Sequence, residues 1–127
     1  MFFYGLFVLF LCATQARGDC VTPCPTGCVC WKSANKECTV NCTNAGLSGV
    51  PDSSEFPDNR SDIKIVYLNN NSISAIGAND LKFMTNLQEI HLQGNIINSI
   101  DSKAFQISSL LVIDLSNNPL TVLGEDY

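Results

Sequence analysis

The residues able to do chemistry gather in two places. Cys20, Cys24, Cys28, Cys30, Cys38 and Cys42 crowd into one short segment, while His91, Asp114 and Ser116 lie far along the chain. Six thiols so close together can close disulfides or hold a metal. The Cys28-Val29-Cys30 and Cys38 to Cys42 spacings would supply zinc thiolates only crudely, and the single histidine is remote from them, so neither a metal nor another cofactor is expected. An even cysteine count in an exported chain reads as a disulfide framework, and spacing alone leaves its connectivity open. His91, Asp114 and Ser116 are the residue types of a hydrolytic triad, and whether they can act as one depends on the elements that carry them.

Export is itself legible. Phe2 to Ala13 is almost continuously apolar, and small residues follow at Ala16 and Gly18. Residues 1–16 therefore read as a signal peptide, with cleavage after Gly18 as the other option. The apolar run is shorter than the roughly 20 residues a membrane span needs, and no later stretch is long enough. Cleavage removes Cys12 and leaves a secreted, extracellular chain. Cutting after Gly18 would also destroy Arg17-Gly18-Asp19, a tripeptide better explained by chance. The formal charge of −5, from 7 basic and 12 acidic residues, argues against nucleic acid or an anionic membrane as partner.

The positioning elements repeat. Asn71, Asn95 and Asn118, spaced by 24 and 23 residues, each close the phrase LxxLxLxxN: Ile63 to Asn71, Leu87 to Asn95 and Leu110 to Asn118. In Val66-Tyr67-Leu68, Ile90-His91-Leu92 and Ile113-Asp114-Leu115 apolar and polar residues alternate, as half-buried strands require. A second apolar pair follows each Asn (Ile73 and Ile76, Ile97 and Ile100, Leu120 and Leu123), and Leu81 and Phe105 turn the chain inward again. One coil cannot bury this ring alone, so neighbours must stack. An asparagine, with donors and an acceptor on one side chain, can satisfy turn groups that no strand reaches.

This phrase and period resemble those of the leucine-rich-repeat family. The resemblance implies an α/β solenoid: a short leucine-rich-repeat coil with a parallel concave sheet. Cys24-Pro-Thr-Gly-Cys28-Val-Cys30, then Cys42 followed by Leu47, Val50 and Pro51, is similar to the cysteine-rich N-terminal cap of extracellular members. That likeness implies Cys24–Cys30 and Cys28–Cys42 disulfides, leaving Cys20 and Cys38 for each other. The cap is placed at residues 20–51, covering the edge of the first coil with Trp31 or Val40, and the repeats at 52–127. The mature chain is then one domain of roughly 110 residues, enough for a narrow core.

On such strands, residues flanking the central aliphatic face outward onto the concave surface. They align in three columns: Ile65, Glu89 and Val112; Tyr67, His91 and Asp114; Asn69, Gln93 and Ser116. Ser116 then lies on Asp114's own strand, so His91 cannot stand between them, and no nucleophile motif surrounds the serine. No enzyme is expected. A contact of His91 with Asp114, sensitive to pH, is the sharper idea for that histidine. The mixed face suits a protein surface, and in this family the concave face is the usual contact surface. The implied function is non-catalytic recognition of an extracellular protein ligand, in immune recognition or in matrix and adhesion work.

Three N-x-S/T sequons begin at Asn41, Asn59 and Asn70. Asn59, in a Pro-, Ser- and Asp-rich loop, is the expected glycosylation site, whereas Asn41 abuts a disulfide cysteine and Asn70 borders the concave face. One departure from the family stands at the other end, where no C-terminal cap follows Leu123. The expectation is that Ile113, Leu115 and Leu120 lie partly uncovered. The alternative functional reading is a truncated product of a larger leucine-rich-repeat receptor or matrix protein, without independent activity. Self-association through the uncapped end is a second route to covering those residues.

Overall fold

The computed structural model describes Cys20, residues 23–56 and residues 60–123, the last two without their side chains. Within these bounds the chain winds as a β-solenoid of about three turns. Eight strands form: β1 (Val29–Lys32), β2 (Cys38–Asn41), β3 (Ile63–Tyr67), β4 (Ala75–Ile76), β5 (Glu89–His91), β6 (Ser99–Ile100), β7 (Val112–Asp114) and β8 (Val122–Leu123). The main sheet runs β1-β2-β3-β5-β7, and a smaller one on the opposite side of the coil runs β4-β6-β8. All pairings are parallel except β1 with β2, which is antiparallel. The α part of an α/β solenoid is reduced to 3-10 turns at Ser53–Glu55 and Arg60–Asp62. Each return instead carries a two-residue strand.

The leucine-rich phrase supplies the core. Ile63, Val66, Leu68, Leu87, Ile90 and Leu92 are buried, as are the second pairs Ile73, Ile76, Ile97 and Ile100. Leu81 and Met84 close one return, and Ala104 with half-buried Phe105 closes the next. Fully burying each such aliphatic side chain stabilises by roughly 1.5–3 kcal/mol, so stacking of coils dominates the energetics. In contrast, Val112 and Ile113 on β7 are each 41% exposed, and Leu115 and Leu120 are partly buried.

The coils are stitched by asparagine. Asn95 is buried; its Oδ1 accepts from Ile73 N at 3.0 Å, and its Nδ2 donates to the Leu68 and Leu92 carbonyls. Asn118 repeats this one coil later, with Ile97 N, Leu92 O and Leu115 O. Asn71 reaches into the cap, accepting from Ala45 N and Leu47 N and donating to Cys42 O and Leu68 O. The residue before each ladder asparagine turns left-handed: Asn70, Gly94 and Asn117 all have positive φ. At Gly94 the requirement is double, since a Cβ there would collide with the Asn70 side-chain oxygen.

The cap continues the sheet rather than sitting beside it. Val40 is fully buried and pairs in register with Val66, so β2 behaves as a coil before the first repeat. Asn44, also left-handed, bonds through its N–H to Asn69 O, as Asn70 does to Gln93 O. Ala45 stands where a ladder asparagine would, and no such amide is needed because β1 folds back antiparallel and ends the stack. Disulfides Cys20–Cys38, Cys24–Cys30 and Cys28–Cys42 fasten this hairpin.

Candidate functional site

Register assigns the outward residues. Ile65 pairs with Glu89 and Glu89 with Val112, while Tyr67 pairs with His91 and His91 with Asp114. Ile65, Glu89 and Val112 thus form one row across the main sheet, and Tyr67, His91 and Asp114 another. Asn69, Gln93 and Ser116 follow at the ends of the strands, where backbone N–H groups of Asn70 and Gly94 reach Gln93 O and Ser116 O. Gln93 Oε1 is buried without a hydrogen-bond partner among the described residues.

Sequence reasoning missed the cap's share of this face. Pairing of Trp31 with Thr39, and of Thr39 with Ile65, carries the first column onto β1 and β2. Val29, paired with Asn41, which pairs with Tyr67, extends the second. Trp31 therefore shares the outward face of the main sheet and is half-buried there, while Val40, with Cys20, Cys38 and Cys42, covers the core edge. Lys64 occupies the register shift between Cys38 and Thr39, where β3 carries one extra residue. Apart from its Ser33 to Glu37 turn, the hairpin lacks any repeat signal that would have announced it.

The centre of the face is a stack. Tyr67 and His91 rings lie 4.7 Å apart and 14° from parallel. His91 Nε2 sits 3.3 Å from Glu89 Oε2 on the same strand, with the two side chains 19% and 38% exposed. His91 makes no hydrogen bond to Asp114. Instead Asp114 Oδ1 accepts from Ser116 Oγ at 2.7 Å and from Ser116 N at 3.0 Å. Those bonds to the Ser116 hydroxyl and amide, aided by nearby His91, hold the Asp114 carboxyl below its usual range. The Ser116 hydroxyl is thus turned to the carboxylate rather than to an imidazole, and the three residues do not form a proton relay.

A second recess, of about 270 Å³, opens away from the main sheet between Pro51, Asp52, Asn79, Asp80 and Phe83. Its carboxylates serve local backbone. Asp52 caps a 3-10 turn by accepting from Ser54 N, which lowers its pKa, and Asp80 accepts from Gly77 N. Among the described residues no three His, Cys, Asp or Glu side chains converge as metal ligands would. No described helix is long and apolar enough to cross a membrane.

Asn41 is half-buried in the second column, its Oδ1 accepting from Thr43 N at 2.9 Å. Asn70 is exposed. Residues 1–16 and Asn59, expected as signal peptide and glycan site, lie outside the described residues.

Comparison with known proteins agrees with the coil. The family described as leucine rich repeat matches residues 85–126. Leucine-rich repeat-containing protein 3B of Homo sapiens is 33% identical over 97 residues, covering 75% of this chain and 35% of its own length. Bos taurus opticin is 36% identical over 97 residues, 76% of this chain and 27% of its own. Asporin of the same species is 36% identical over 74 residues, 58% of this chain and 17% of its own. The chain thus spans about a third or less of these relatives.

Proposed function

Because this chain is a leucine-rich-repeat protein with a cysteine-rich N-terminal cap, we propose that it is an exported, non-catalytic binding module whose concave face engages another extracellular protein. The observation that carries this reading is the outward half of the main sheet. Apart from buried Thr39, its side chains in the two rows stay at least partly exposed, and they present a mixed surface from Trp31 across Ile65 and Tyr67 to Asp114. Aromatic and aliphatic groups beside carboxylates are the composition of a protein contact rather than a small-ligand pocket. Disulfides and an apolar leader support an extracellular setting.

Size limits what the face does alone. Five strands at roughly 4.8 Å spacing, each showing about 10 Å of length, present a strip near 19 by 10 Å. That is well below the roughly 800 Å² per partner of a standard interface. The sheet is therefore the centre of a contact whose rim comes from the adjoining turns, with Asn69, Gln93 and Ser116 on one side.

Glycan wedges test the reading. Ile65→Asn with Tyr67→Thr places a sequon in the middle of the sheet, and Gln106→Asn places one on a return segment, using native Ser108. The secreted chain and both variants are measured against a panel of extracellular ectodomains. Binding abolished by the sheet glycan and kept with the Gln106→Asn glycan is expected. The reverse pattern would overturn the proposal.

A further inference from the structure

The concave face is chemically graded. At its cap side stand Val29, Trp31 and Ile65, and Val29 is 64% exposed. Across the Tyr67–His91 stack two acids enter the face, Glu89 beside His91 on β5 and Asp114 in register with it on β7, with exposed Val112 as their apolar neighbour. Neither of the two columns contains a lysine or arginine; the strand lysines are Lys32, which ends β1, and Lys64, which sits in the bulge between registers.

The two carboxylates are only half used. Both Ser116 bonds fall on Asp114 Oδ1, and His91 faces Glu89 Oε2. Asp114 Oδ2 and Glu89 Oε1 have no hydrogen-bond partner among the described residues. The stacked rings between these acids and the apolar side lie face to face, so their edges line a carbon-rich ridge along which a long aliphatic stem can lie, its charged head extending past it.

Resting on the concave-face reading above, we infer that the partner presents a lysine or arginine whose stem lies on the Tyr67–His91 stack and whose head reaches Glu89 and Asp114. An apolar side chain of the same segment covers Trp31 and Ile65. Charge complementarity selects the basic residue, since a carboxylate there would meet two like charges. Distance sets the register: the stem starts over Tyr67 on β3, and from there to Trp31 on β1 is two strand spacings, roughly 10 Å, which an extended segment crosses in about three residues.

Peptide selection tests this directly. A heptapeptide phage library is panned on the intact disulfide-bonded chain, and enriched peptides are synthesised and titrated. Expected is enrichment of Lys or Arg about three positions from an aromatic or aliphatic residue. Affinity should fall roughly tenfold on Glu89→Gln with Asp114→Asn, as two partly exposed ion pairs permit. It should fall likewise when the peptide arginine is replaced by uncharged citrulline, and change less than about twofold on Asp101→Asn, away from the main sheet. Winning peptides without a basic residue, still blocked by the Ile65→Asn/Tyr67→Thr glycan, would overturn this inference and leave the concave-face reading standing. Peptides indifferent to that glycan, or no binders at all, would overturn both.

Discussion

At the cap, three disulfides within residues 20–42 fasten a hairpin whose buried side chains are few and small, chiefly Val40 and the cysteines themselves. In the coil, which has no cysteine beyond Cys42, no disulfide joins one turn to the next. There Asn71, Asn95 and Asn118 bridge neighbours through amides while large aliphatics fill the interior. The difference follows from geometry. A coil has a neighbour whose shape it repeats, so the same amide bonds and apolar contacts recur at each step. The cap ends that repetition with an antiparallel strand, has no further layer to bury against, and relies on restricting its unfolded chain instead.

Breaking the ladder should have the largest effect. Asn95→Ala leaves Ile73 N–H buried without its acceptor and removes one bond each from the Leu68 and Leu92 carbonyls, which keep their bonds to Asn71 and Asn118. Chemical denaturation of the oxidised protein should show a loss of about 4 kcal/mol. A loss below about 1 kcal/mol would mean that apolar stacking alone holds the coils. Next comes the cap. Replacing Cys28 and Cys42 by Ala opens a bond spanning 14 residues, and the chain-entropy argument predicts about 3 kcal/mol. Amide exchange in that variant should accelerate first around β1 and β2; uniform acceleration would show that cap and coil unfold as one unit.

The smallest effect belongs to the far side of the sheet. Asp114 is held below its ordinary pKa of 3.8, mainly by Ser116. A carboxylate depressed by folding stabilises above its unfolded pKa, and that contribution is lost as pH falls through the lower folded value. Melting temperature measured downward from about pH 5 should therefore decline below the ordinary carboxylate range, and Ser116→Ala should flatten this arm of the curve. An unchanged acid arm in Ser116→Ala would assign it elsewhere, with Asp52 the next group to examine, since Ser54 lowers it similarly.

The coil was legible because burial repeats: Ile63, Leu87 and their equivalents must recur wherever a turn meets its neighbour, and residues between them must alternate outward. The columns containing Tyr67, His91 and Glu89 follow from that alternation alone. Trp31 and Val29 were not readable as part of the face, because β1 joins the sheet through an antiparallel hairpin outside the period. The second sheet was also hidden, since Ala75–Ile76 and Ser99–Ile100 are too short to show a strand pattern. Spacing placed His91 beside Asp114 but could not choose its rotamer. Glu89 on the same strand and Tyr67 behind it captured the ring, while Ser116 offered Asp114 two donors of its own.

The asparagine bonds all point one way. Asn71 reaches back to Cys42, Ala45 and Leu47, Asn95 to Leu68 and Ile73, and Asn118 to Leu92 and Ile97. Each amide thus closes on backbone that was synthesised before it, never on backbone still to come. For a chain emerging from its amino terminus, every coil finds its template already made, and assembly can keep pace with translation without waiting for the carboxyl end.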